Sequence, residues 1–136
     1  MQVPENILQQ FNLEVIKPEL KKRYDYNCLG FTRYIFEQNK LYWEKSFIME
    51  NWLKTHTKKV KKSKIGDIGV MEDSYGLTHT FIVIDPTNNM ILHKPGVLPL
   101  TVETINEGII NGNMRGYGKI TEFRRFKKEV KDNENY

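Results

Sequence analysis

Thr78-His79-Thr80-Phe81-Ile82-Val83-Ile84-Asp85 runs into Pro86-Thr87-Asn88-Asn89 and then Met90-Ile91-Leu92-His93. The first run is β-branched and aromatic, the middle is turn chemistry, and the last is apolar again. Residues 78–93 therefore predict an antiparallel hairpin. Two of the chain's three histidines, His79 and His93, lie at its open end, fourteen residues apart. A hairpin brings such positions onto neighbouring strands, and the turn length decides which face they take.

Before the hairpin, Asp67-Ile68-Gly69-Val70-Met71 reads as a short apolar strand, with Gly66, Gly69 and Gly76 as loop and bulge glycines. Lys58, Lys59, Lys61, Lys62 and Lys64 form a basic stretch without interleaved aromatics. It reads as a solvated loop between a helical half and a sheet half, with contact to an anionic polymer as the other reading. His56 falls in this polar segment and reads as a surface residue. After the hairpin, a short strand is expected over 97–100 around Pro99, a short helix over 101–110, and a final strand over 117–126. From Lys127 the chain is charged and reads as a frayed tail.

The first half is helical in pattern. Ile7, Leu8, Phe11 and Leu13 give a short helical repeat over 5–15, interrupted by Pro18. Residues 27–40 carry the strongest helix signal. Cys28, Phe31, Tyr34 and Ile35 share one face, Arg33, Glu37 and Lys40 lie elsewhere, and Asn27 suits the N-cap. A second helix over 43–54 would turn Phe47, Ile48, Trp52 and Leu53 inward. Neither an internal repeat nor a linker divides the chain. The expectation is one α+β domain over residues 1–136, with its core between about 20 and 126: N-terminal helices carrying the cysteine, packed on an antiparallel sheet carrying the histidines.

Composition bounds the function. The chain has 136 residues, 39% hydrophobic and 12% aromatic, enough for one packed core. There is no apolar run of membrane-spanning length, and no membrane span is expected. Met1-Gln2-Val3-Pro4-Glu5 has no signal-peptide character. The net charge of +4 is mild and does not call for a nucleic-acid partner. Gly-x-Gly-x-x-Gly, Walker and Gly-x-Ser-x-Gly motifs are absent, and no cofactor is expected. His79 and His93 with Asp67 or Asp85 could bind zinc, but no His-Glu-x-x-His spacing appears and Cys28 would be left unexplained, so no metal is expected.

Cys28 is the only cysteine, so it makes no internal disulfide and no thiolate zinc site by itself. It is either a small buried hydrophobe or a nucleophile. A nucleophilic cysteine attacks as the thiolate. The positive end of a helix and a neighbouring imidazole both favour that form. His79 can take the proton if it points toward a helix packed on the sheet, and His93 can orient the far nitrogen of its ring.

Asn27-Cys28-Leu29-Gly30-Phe31 followed by Tyr34-Ile35-Phe36 is similar to the Asp-Cys-Ser-Gly-Leu helix, with its aromatic tail, of the NlpC-type peptidoglycan cysteine peptidases. Gly66-Asp67-Ile68 and His79-Thr80-Phe81-Ile82-Val83-Ile84 resemble that family's Gly-Asp-Leu and His-Val-Gly-Ile strands. Met90-Ile91-Leu92-His93 is similar to the next strand, and Phe123-Arg124-Arg125-Phe126 to the arginine-bearing last one. The Cys28–His79 separation of 51 residues is ordinary for the family.

The resemblance implies a papain-like fold. It implies Cys28 as nucleophile, His79 as base and acid, and His93 as the group orienting His79. The substrate it implies is an amide bond of a bacterial cell-wall stem peptide, often beside D-glutamate, with the oxyanion held partly by the Cys28 N–H. The family's upstream Pro-Tyr-x-Trp-Gly-Gly segment is missing, leaving Tyr24 or Tyr26 to stand in for its oxyanion tyrosine. Asn27 replaces the usual Asp, and Leu29 the usual Ser. Phage tail-associated members vary here and lack signal peptides, which this chain resembles. The alternatives are an acyltransferase or toxin-like amidase using the same three residues, and a non-catalytic wall-binding or tail-assembly module.

Overall fold

The computed structural model describes residues 25–37 and 41–127. The pattern expected over 5–15, Tyr24, and the tail from 128 onward lie outside the described residues. Along the chain run α1 (Cys28–Glu37), α2 (Ser46–His56), β1 (Thr57–Val60), β2 (Ile68–Asp73), β3 (Gly76–Asp85), β4 (Met90–His93), β5 (Thr101–Thr104), α3 (Ile105–Asn111) and β6 (Lys119–Phe126). The six strands form one sheet in the order β1-β6-β2-β3-β4-β5. Every pairing is antiparallel, so the fold is α+β.

β3 is central, and Thr80 to Ile84 are all buried. A strand covered on both faces reads as a continuous apolar run, which accounts for Phe81-Ile82-Val83-Ile84. One face, with Ile68, Val70, Ile82, Leu92 and Val102, packs against α1 and α2. The other, with Met71, Phe81, Val83 and Ile91, packs against Met114, Tyr117 and Phe123. The hairpin forms as expected, with Ile82 opposite Leu92 and Val83 opposite Ile91. Asp85 Oδ1 accepts from the N–H groups of Thr87 and Asn88, and Asn89 closes the turn in the left-handed region.

Four local expectations change. In α2 the buried residues are Met49, Trp52 and Leu53, whereas Phe47 is 67% exposed and Ile48 39%. Met49 supplies the i, i+3, i+4 spacing with Trp52 and Leu53, so it takes the inward place assigned to Ile48. The lysine stretch is not all loop: Thr57–Val60 is an edge strand paired with β6, its lysine side chains exposed. His56 is half-buried and stacks on Trp52 at 5.3 Å rather than standing free on the surface. The strand expected over 97–100 lies instead at Thr101–Thr104. The helix follows at once, because Thr104 and Glu107 form a capping box that starts it at Ile105.

Asn27 positions the cysteine. Its Oδ1 accepts from Gly30 N at 2.9 Å, capping α1. The same oxygen accepts from Glu44 N at 2.9 Å, while Nδ2 donates to Glu44 O at 2.9 Å. The amide therefore pairs with both backbone groups of Glu44, which an aspartate could not do. This is a physical reason for Asn where the resembling family has Asp. Asn27→Asp is expected to keep the cap but set a carboxylate oxygen against the Glu44 carbonyl. The cost should be about 1–2 kcal/mol of stability by urea unfolding; an unchanged midpoint would show that the Glu44 bonds contribute nothing.

Candidate active site

Cys28 is the first residue of α1 and is 7% exposed. Its Sγ makes a long contact, 4.0 Å, to Thr78 O. Thr80 Oγ1 donates to Cys28 O at 3.4 Å and pairs with Thr32 Oγ1 at 2.7 Å. Cys28 is thus held against the residues on either side of His79. Burial pushes its thiol up from 9.0 to about 11, against the lowering pull of Thr80 and α1 backbone N–H groups and the Lys94 charge. Lys94 is itself fully buried, donates to Gly96 O at 2.7 Å and holds its ammonium 5.0 Å from the Tyr26 ring centre.

His79 has no exposed surface. Its ring lies flat on Tyr117, with centres 4.2 Å apart and planes 1° from parallel. Tyr117 is held there by the Thr78 hydroxyl, which donates to its carbonyl. His79 Nε2 and His93 Nδ1 share a hydrogen bond of 2.8 Å, the rings meeting edge to face at 80°. His93 Nε2 in turn bonds Glu103 Oε2 at 2.7 Å. Glu103 is 3% exposed and is fixed from its other side by Asn111 Nδ2 at 2.8 Å and Asn113 Nδ2 at 3.1 Å. His79 Nδ1 alone in this chain of side chains has no hydrogen-bond partner.

The charges follow from burial. Desolvation, and then the repulsion of a charge on His93, holds His79 well below 6.5. Desolvation also lowers His93, although Glu103 pulls the other way. Burial pushes the Glu103 carboxyl up, but bonds from Asn111, His93 and Asn113 outweigh it and keep the carboxyl below 4.5. At neutral pH the site holds a thiol, two neutral imidazoles and a carboxylate.

His79 and His93 thus come together at the start of β3 and the end of β4, while Cys28 contacts the two neighbours of His79, Thr78 and Thr80. The orientation differs from the one expected. By strand alternation His79 falls with Phe81 and Val83, away from the face that α1 covers. Among the described residues no hydrogen bond joins Cys28 Sγ to either imidazole. Cys28 and Tyr117 nevertheless lie within electrostatic reach, since a charge on the sulfur would raise the Tyr117 phenol, itself pushed up first by burial. Tyr26 is fully buried and packs on Phe31 with centres 6.3 Å apart, so its ring offers no surface to a substrate. Tyr24 lies outside the described residues.

Asp67 pairs with Arg125 at 2.8 Å and Asp85 bonds Asn88 at 2.8 Å, so both carboxylates weighed as zinc ligands are engaged away from the histidines. Among the described residues no group of three or more His, Cys, Asp or Glu side chains is arranged to hold a metal. No helix among them is long and apolar enough to cross a membrane. The residue that sequence reasoning missed is Glu103. Its signal was the Thr-x-x-Glu capping box at 104–107, which puts Glu103 on the strand before the helix rather than inside it. The chain matches no protein-family model and, at a significant level, no curated protein.

These protonation states set a pH signature. Below the ordinary histidine value of 6.5 the unfolded chain binds a proton that native His79 refuses, so its share of stability is lost on acidification. Between 9.0 and about 11 the unfolded thiol ionises while native Cys28 does not, so its share is lost as pH rises. The melting temperature of Cys28→Ala should therefore gain on that of wild type across the alkaline window and run parallel to it near neutrality. Parallel curves throughout would show that the thiol is not held protonated.

Proposed function

We propose that this chain is a papain-like, NlpC-type thiol hydrolase that cleaves amide bonds in bacterial cell-wall stem peptides. The observation that carries the reading is the buried chain Glu103–His93–His79, which ends in an unbonded ring nitrogen on the residue whose two neighbours touch Cys28. A carboxylate behind two imidazoles has little purpose as packing, since each buried polar group costs free energy unless paired. It suits a base that must take up a proton during a reaction.

In this mechanism His79 Nδ1 accepts the Cys28 thiol proton. The thiolate attacks the amide carbon, and the backbone N–H of Cys28 at the start of α1 stabilises the oxyanion. The C–N bond breaks as the imidazolium returns its proton to the departing amine, leaving a thioester. Water then gives a proton to His79, adds to the thioester and releases the carboxylic acid and the thiol. The first step requires a rearrangement around the start of β3 that carries Cys28 Sγ from Thr78 O to His79 Nδ1, since the ring lies on the face away from α1. Burial of the thiolate is offset in part by Lys94.

A second reading, a non-catalytic wall-binding module, is favoured by one observation: the sulfur is buried, protonated and turned to a carbonyl rather than to a ring. Hydrolysis and binding of muropeptides separate them. Cys28→Ala should abolish release of peptides from muropeptide substrates, and His79→Ala should reduce it about 10²–10⁴-fold. The resting thiol is buried and protonated, so iodoacetamide at mildly acidic pH should alkylate native Cys28 no faster than free cysteine on either reading, and hydrolysis decides between them. Hydrolysis unaffected by Cys28→Ala would refute the catalytic role; wild-type protein that binds muropeptides without hydrolysing them would favour the module.

A further inference from the structure

The hydrogen-bond chain behind His79 has a direction, and its far end fixes it. Glu103 is a carboxylate and can only accept. His93 Nε2, 2.7 Å from Glu103 Oε2, must then carry a proton. A neutral imidazole carries one proton, so His93 Nδ1 is a bare acceptor. His79 Nε2, 2.8 Å from it, must therefore be the donor. His79 Nδ1 is left with a lone pair and no partner. We propose that Glu103 is a positioning residue that sets the tautomer of His79 from two hydrogen bonds away, so that Nδ1 is the basic nitrogen.

The groups around Glu103 keep that direction from reversing. Asn111 Nδ2 donates to Glu103 Oε1 at 2.8 Å, and Asn113 Nδ2 reaches both carboxylate oxygens at 3.1 and 3.2 Å. Asn111 cannot turn its amide over without loss, because its Oδ1 accepts from Asn113 N at 2.9 Å. Asn111 thus presents a donor to Glu103 Oε1 in its anchored orientation. A glutamine at 103 would place its oxygen toward Asn111 and its NH₂ toward His93. His93 Nε2 would then become the acceptor, His93 Nδ1 the donor and His79 Nε2 the acceptor, moving the last proton onto His79 Nδ1. A change of one atom, about two residue widths from the base, turns that base into a donor. Gly108 packs beside this carboxylate: a Cβ there would stand 3.1 Å from Glu103 Oε2 and 2.7 Å from the Met114 sulfur.

The catalytic meaning of this tautomer rests on the proposed hydrolase reading; the tautomer itself does not. The test is long-range ¹H–¹⁵N correlation on histidine-labelled protein near neutral pH, with no substrate present. Wild type is expected to show both His79 and His93 protonated at Nε2 and bare at Nδ1. Glu103→Gln should swap both rings to Nδ1–H, with an unchanged amide fingerprint, and should lower any hydrolysis about 10²–10⁴-fold. Wild-type His79 protonated at Nδ1, or a folded Glu103→Gln protein with both tautomers unchanged, would overturn the proposal. If the variant does not fold, the wild-type spectrum decides by the same criterion. Expected tautomers with no hydrolysis of wall peptides would remove the functional reading and leave the relay standing.

Discussion

The hydrogen bond between His79 and His93 is the interaction on which the rest of the site depends. Two neutral rings meet edge to face in a dry interior, and each would be costly there alone. Their pairing requires β3 and β4 in one register, which the Asp85–Asn89 turn supplies. It also requires a partner for the outer nitrogen of His93, which brings in β5. There the capping box ends the strand at Thr104, and α3 with the residues after it holds Glu103 by two amides. Elements distant in sequence are thereby tied to one polar thread.

Around that thread the interior is strongly apolar, and this decides the resting charges. Desolvation outweighs attraction at Cys28 and at His93, so the thiol stays protonated and the rings stay neutral. Only at Glu103 do hydrogen bonds outnumber the cost of burial, and only there does a charge persist among the relay groups. Lys94, the one buried cation nearby among the described residues, lies where it favours a thiolate once formed. In the proposed reaction charge is generated from this neutral resting site by proton transfer, and the direction of the relay supplies the acceptor.

Much of this was legible in the sequence, where local chemistry and tertiary demand agree. The β-branched run of β3, the turn at 85–89, the Asn27 cap and the Cys28 face of α1 all follow from local rules. The readings that changed are those that neighbours decide. Ile48 and Phe47 are as apolar as Met49, and only packing against β3 selects among them. Thr57–Val60 carries two lysines and becomes a strand because β6 lies beside it. Glu103 looked like a helix residue until the cap at Thr104 is given its weight, and nothing local marks it as buried. His79 shares the face of Phe81 and Val83, and which of the two faces α1 covers is decided by packing that no pattern within β3 reveals.

The most direct measurement is the scalar coupling across the imidazole–imidazole hydrogen bond in uniformly ¹⁵N-labelled protein. A coupling between His79 Nε2 and His93 Nδ1, transmitted by a proton covalently bound to His79, is the result this account predicts. A folded protein in which His93 Nδ1 is bare but shows no coupling to His79, or in which the shared proton resides on His93, would contradict it.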